Sequence, residues 1–324
     1  MKFYKNNNAV RSGIIRNISF WITILLVAIF ISACGPKKAE PVYDAESQKL
    51  ISEYKQLGSL EKRFEAGNTA LLVATEKNLP SVVNYLLKRG AKVDVQNKNG
   101  TTPLMVAASR GNGEIVALLI KHKADINVTD KFGYTAMFYA VEQKSATVIK
   151  RLLLAGANPN IRGEFGWTVI MVLAGERAGY LDTIKMFHNK GVSLNAAENQ
   201  FGLTALAINS MLQGDYSVFK FLVDNGANIN RIDKLKRTPL LYAMVNKNYP
   251  KIRYLISRGA NPRLGLYKGL TPLMLAAARG NSYIVKLLVD SGAKPKFRNK
   301  HGKSAIDYAR KRRFRRITSY LKKH

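Results

Sequence analysis

Apolar and polar positions recur in a fixed order along most of this chain. Aligned on a threonine that usually follows Gly-x, the copies start at Thr69, Thr102, Thr135, Thr168, Thr204, Thr238 and Thr271, with Ser304 in that place at the end. The spacings are 33, 33, 33, 36, 34, 33 and 33 residues. Each copy predicts two short helices. Threonine opens the first as an N-cap, and Pro103, Pro239 and Pro272 sit where a first helical residue tolerates proline. Small residues such as Ala107-Ala108 and Ala276-Ala277 let neighbouring helices approach closely. An apolar stripe follows in the second helix, for example Leu86-Leu87, Leu152-Leu153-Leu154 and Leu287-Leu288-Val289. A Gly-Ala pair then recurs at Gly90, Gly156, Gly226, Gly259 and Gly292, where glycine supplies a left-handed helix stop. One such unit cannot bury its own apolar face, whereas a stack can. An all-α solenoid of stacked helix pairs is therefore expected.

Period, turn and helix signals together resemble the ankyrin-repeat family over about residues 67–324. The resemblance implies β-hairpin or turn tips between helix pairs, and about eight copies: 67–98, 99–131, 132–164, 165–200, 201–234, 235–266, 267–300 and 301–324. The family's signature histidine is missing from every copy, replaced by Leu72, Met105, Phe138, Met171, Ala207, Leu241, Met274 and Asp307. In the fourth copy three extra residues are expected within Gly175–Asp182, and the fifth copy has one extra. Residues 49–66 are expected to cap the array as a helix that is charged outside.

The N-terminus follows different rules. Residues 1–17 carry Lys2, Lys5, Arg11 and Arg16 and no acid, and an apolar run extends from Ile18 to Ala33. Ile31-Ser32-Ala33-Cys34 closes it, and Cys34 is the only cysteine in the chain. A basic start, an apolar stretch and small residues before a cut describe a secretory signal. The tetrapeptide resembles the lipobox of bacterial lipoproteins. That resemblance implies cleavage between Ala33 and Cys34, thioether lipidation of Cys34 and acylation of the new amino group. An uncleaved anchor is the alternative, although the run is short for a span of about 20 residues. Residues 34–48, with two prolines, read as a tether. Gly35 is not the aspartate that retains enteric lipoproteins at the inner membrane. The resemblance thus leans to an outer-membrane protein facing the periplasm, with the inner membrane or the cell surface as alternatives.

No catalytic constellation is present in the sequence. His122, His188, His301 and His324 lie far apart without metal-ligand spacing, and no phosphate-binding glycine motif occurs. No cofactor, no metal and no enzymatic activity are expected. Asp94, Asp125, Asn158, Asn160, Asn228 and Asn230 read as turn residues that bond locally to the backbone.

Binding is the remaining class of function. Three successive copies open with an aromatic tip: Phe132-Gly133-Tyr134, Phe165-Gly166-Trp167 and Phe201-Gly202-Leu203. These rings form either a protein-binding stripe or packing against the neighbouring tip. Charge singles out a second region. The net charge is +31, of which residues 235–324 hold +21, with 23 lysines and arginines against Asp290 and Asp307 alone. Basicity peaks at Arg310, Lys311, Arg312, Arg313, Arg315 and Arg316. This end reads as an anionic-partner patch, or as a polar cap whose basic groups favour the helix dipole. Three functions follow: a membrane-anchored, monomeric protein-interaction scaffold in the cell envelope; a binder of anionic lipid or wall polymer; or a surface or secreted factor that meets a host. Export disfavours nucleic acid as the partner. Mass spectrometry with a lipid label checks the N-terminus. The wild type is expected to lose residues 1–33 and carry label, and Cys34→Ala to accumulate as unlabelled precursor. A labelled Cys34→Ala protein contradicts the assignment.

Overall fold

The computed structural model describes residues 45–324 except 57 and 266–269. The signal segment, Cys34 and most of the tether lie outside the described residues. Two compact units divide the chain, 1–49 and 50–324, and the second contains all the repeats. A leading helix, α1, spans Ala45–Lys55 and buries Leu50 and Tyr54. It starts earlier and ends earlier than the expected 49–66. Phe64–Asn68 instead forms the first of a series of fingers, closed by a Phe64 N–H to Asn68 O bond of 2.7 Å.

Eight helix pairs follow. They are α2 (Ala70–Glu76) with α3 (Pro80–Lys88), α4 (Pro103–Ser109) with α5 (Gly113–Lys121), and α6 (Ala136–Glu142) with α7 (Ala146–Leu154). Next come α8 (Val169–Ala174) with α9 (Leu181–Asn189), and α10 (Ala205–Leu212) with α11 (Tyr216–Asp224). The last are α12 (Pro239–Val245) with α13 (Tyr249–Ser257), α14 (Pro272–Arg279) with α15 (Ser282–Asp290), and α16 (Ala305–Lys311) with α17 (Arg315–Lys323). First helices pack on first helices and second on second. One continuous core runs through the stack, from Leu50 to Leu321.

The local chemistry explains why each pair recurs. Thr102, Thr168, Thr204, Thr238 and Thr271 accept a hydrogen bond from the amide three residues on, and Ser304 does so with Asp307 as a full capping box. The residues in place of the signature histidine are buried in most copies, as Met105, Met171 and Met274 show at 1% exposure each. Asp307 keeps a charge in that place and uses it in the cap, accepting the Ser304 amide at 2.9 Å and the Ser304 hydroxyl at 2.8 Å. The first helix ends by folding the N-cap amide of the second helix back onto an alanine carbonyl. This bond runs from Asn112 to Ala107, Ser145 to Ala140, Asn248 to Ala243 and Asn281 to Ala276, at 3.0–3.3 Å. Side chains at those junctions, Asn112, Ser145, Asn248 and Asn281, then cap the second helix.

The fingers are turns, not strands. Among the described residues the strand-like pairing consists of an isolated Ala197–Thr204 bridge. A finger of five residues, such as 97–101, is too short to build a ladder. Successive fingers are instead joined by single backbone bonds, including Lys98 N–H to Ala66 O, Lys131 N–H to Asn99 O and Lys234 N–H to Phe201 O.

The irregular copies differ from the expected pattern. Only two of the three extra residues lie between α8 and α9. The third enlarges the finger that begins at Glu198, and a longer acid there matches the longer loop. Its carboxylate accepts from the amides of Gln200, Phe201 and Leu203 at 2.7, 2.7 and 2.9 Å. In the fifth copy the extra residue is Gly214, inserted between left-handed Gln213 and the N-cap Asp215. A Cβ at Gly214 would stand 2.2 Å from the Ala174 carbonyl oxygen, so only glycine fits.

The insertion displaces the usual junction, and polar side chains repair it. Asn209 stands where regular copies have alanine, fully buried, and bonds the carbonyls of Ala174 and Asp215. Lys251 comes across from α13, where other copies have Val82, Ile115, Val148 or Ile284. It is 1% exposed, and its ammonium donates to Asn209 O, Asn209 Oδ1 and Gly214 O at 2.9, 2.6 and 2.7 Å. Burial lowers its pKa to about 8, against the opposing pull of Asp215. Lys251→Ile restores the regular residue yet strands Asn209 Oδ1 and Gly214 O, while Asn209 O keeps the Gly214 amide, so urea unfolding is expected to show a loss of about 2–4 kcal/mol. The pH dependence also has a sign. Between about 8 and the ordinary 10.5 the unfolded chain holds the proton that the folded chain releases. Wild-type stability relative to Lys251→Ile should therefore rise with pH in that window. A flat difference is the result that contradicts it.

Candidate functional site

The aromatic tips sit on a repeated hydrogen-bonded scaffold. In the third finger Asp130 accepts the amide of Gly133 on its carbonyl at 3.1 Å, and its own amide reaches Tyr134 O at 3.0 Å. Its Oδ1 accepts the amides of Phe132 and Tyr134 at 2.8 and 2.9 Å. Asn97, Asp233 and Asn299 hold their fingers through the same side-chain oxygen. A tyrosine nine residues on ties three of these bases to the first helix. Tyr139 donates to Asp130 Oδ2 at 2.6 Å, Tyr242 to Asp233 Oδ2 at 2.5 Å, and Asn299 donates to the Tyr308 hydroxyl at 3.0 Å. Burial, and then the neighbouring Asp130 charge, raise the Tyr139 hydroxyl well above the ordinary phenol range.

The fourth finger lacks such a base because Gly163 stands in that position. Its glycine has a reason. The Tyr134 ring lies so close that a Cβ at Gly163 would come within 2.3 Å of it. Tyr134 also meets Phe138 edge-on, with centroids 5.1 Å apart. Phe165 holds φ at 55°, a left-handed conformation that a bulky residue seldom adopts. The Phe165 carbonyl is gripped by the amide of Asn199 at 2.6 Å.

The predicted aromatic row therefore divides. Phe132 and Phe165 project at 44% and 43% exposure, one repeat apart. Tyr134, Trp167 and Phe201 are half-buried and pack against the core. Glu142 is the last residue of α6. Burial pushes its carboxyl up to about 7.

The basic residues also divide. Lys251, Arg263, Arg279 and Arg298 serve the fold by donating to backbone carbonyls. Arg310, Lys311, Arg312, Arg313, Arg315 and Arg316 are all exposed. The dipole accounts for only part of this run. Arg310 and Lys311 fall in the last turn of α16, but Arg315 and Arg316 open α17, where positive charge opposes the dipole. Phe314 between them turns inward over Gly280.

The asparagines and aspartates after each second helix do more than the expected local turns. Asp94 Oδ1 accepts the Asp125 amide of the next copy at 3.0 Å. Asn127 Oδ1 does the same for Asn158 at 2.8 Å, Asn195 for Asn228 at 2.6 Å and Asn230 for Asn261 at 2.8 Å. Sequence reading missed this ladder because the period of 33 conceals which carbonyl or amide of the neighbour comes within reach. The repeated spacing of those residues was the available signal.

Helix pairs of this period, threonine-capped and closed by Gly-Ala, decide the family. The chain belongs to the ankyrin-repeat family. The profile for ankyrin repeats (3 copies) matches residues 71–163, 137–233, 170–265 and 259–324. No curated protein matches the chain. Ankyrin repeats support protein–protein interaction scaffolds, and the family is typically non-catalytic. Among the described residues no group of three or more His, Cys, Asp or Glu could hold a metal ion. No helix among them is long and apolar enough to cross a membrane.

The Asp130 scaffold can be tested directly. Asp130→Ala removes acceptors from two amides and one buried hydroxyl, and is expected to cost about 1–3 kcal/mol. Hydrogen exchange should quicken at the amides of Phe132 and Tyr134 while those of Asn99 and Gly100 stay unchanged. Uniform acceleration across both fingers contradicts a local role.

Proposed function

We propose that this ankyrin-repeat protein is a non-catalytic scaffold of the bacterial cell envelope, tethered by lipid on Cys34, that grips a protein partner with its finger tips. One observation carries the reading: Phe132 and Phe165 stand exposed at adjacent tips, each on a finger joined to a neighbouring finger by a backbone hydrogen bond. Rings held in place lose little entropy on binding, and aromatic side chains dominate interface energetics. Tyr134 and Trp167 support the tips from beneath and shape the ground between them. The signal-like N-terminus supports the envelope and the tether, and Gly35 favours the outer membrane facing the periplasm.

A photoreactive residue replacing Phe165 tests this in intact cells. Crosslinks to a discrete protein are expected from Phe165 and from Phe132. They should be absent from Leu154, a control that is 79% exposed on a second helix. Equal crosslinking from all three positions, or none from the two tips, refutes the finger-tip site.

A further inference from the structure

The second helices of the last four copies, α11, α13, α15 and α17, pack side by side. Their equivalent positions therefore fall on one face, and the sequence places a repeating chemistry there. Tyr216 and Tyr249 are the first residues of α11 and α13 and Tyr283 is the second residue of α15, at 44%, 43% and 58% exposure. One turn along, on the same face, come the exposed cations Lys220, Arg253 and Lys286. On the fourth helix Arg315 and Arg316 take the tyrosine positions, and Lys322 and Lys323 end it.

The acids on these helices are already engaged. Asp224 accepts from the Tyr254 hydroxyl at 2.5 Å and pairs with Arg258 at 2.9 Å. Asp290 accepts from the Tyr320 hydroxyl at 3.2 Å, and Asp182 lies outside this face on α9. Among the described residues Arg253, Lys286, Arg315, Arg316, Lys322 and Lys323 have no carboxylate within ion-pair distance. The face thus presents cations without internal counterions, with a phenol ring beside each of the first three.

We propose that this four-helix face docks on an anionic phospholipid bilayer. Ammonium and guanidinium groups meet headgroup phosphates, and the tyrosine rings lie at headgroup depth, where their apolar body and polar tip both find partners. Contact is superficial, because the one phenylalanine in the Arg-rich turn, Phe314, is committed to covering Gly280. A bilayer fits better than single-stranded nucleic acid, which needs free ring faces for stacking. Tyr216 is already stacked on Phe219, 5.9 Å away at 22°, and meets Tyr254 edge-on. This face lies on the second helices, so the inference goes beyond the finger-tip role and is independent of the lipid on Cys34.

Amine footprinting of the full chain on vesicles tests it. Lysine acetylation rates are compared on neutral phosphatidylcholine and on vesicles with roughly 30% phosphatidylglycerol. Lys286 and Lys322 should be protected about 5-fold or more on anionic vesicles only, with Lys88 and Lys121 unchanged, and high salt should abolish the protection. The basic N-terminal segment, with Lys2, Lys5, Arg11 and Arg16, itself favours anionic vesicles, so the protection is read site by site: a chain held by that segment alone leaves Lys286 and Lys322 no better protected than Lys88 and Lys121, a result that also overturns the proposal. Replacing Arg315, Arg316, Lys322 and Lys323 by glutamate should remove protection of Lys286, with circular dichroism confirming that helices persist. Equal rates on both vesicle types overturn the proposal. So does a single-stranded oligonucleotide that displaces the vesicles and produces the same footprint more tightly.

Discussion

Every unit of this protein depends on burying apolar surface against the next unit. A pair of helices seven to nine residues long has no interior of its own. Residues such as Leu104, Ile115 and Leu119 disappear from solvent only because neighbouring pairs stand on either side. Helices this short are marginal alone, and tertiary packing supplies most of their stability. The alanine junctions and threonine caps follow from the same need. Both shorten the approach between units and satisfy backbone groups that the stack removes from water.

Stacking also explains where polar residues may enter the interior. The extra Gly214 opens a junction that cannot be closed by alanine, so Asn209 and Lys251 enter a seam that is otherwise aliphatic. A buried amine is costly, as the depressed pKa of Lys251 shows, yet unfilled carbonyls at that depth would cost more. Glu198 solves the related problem in the enlarged finger, where its buried carboxylate receives three amides.

Two sides of the array have separate chemistries. Fingers and first helices carry the projecting phenylalanines on a hydrogen-bonded frame, suited to a shaped partner. The second helices of the last four copies carry cations and phenol rings without spare acids, suited to a broad anionic surface. Because the two lie on different elements, one partner need not displace the other.

Period, capping residues and Gly-Ala stops are local signals, so eight helix pairs and their order were legible from residues 67–324 directly. Which of hairpin or turn the tips would adopt was not, since it depends on how many backbone groups the adjacent finger offers. Nor did the pattern reveal that Tyr134 would fold onto Gly163 while Phe132 and Phe165 project. Those rings look alike in sequence, and their fates depend on which neighbour leaves room. Total charge was equally plain from composition, but composition cannot tell Lys251, spent on buried carbonyls, from Lys286, facing water. Local propensity set the unit, and contacts between residues about one repeat apart decided which side chains were left for binding.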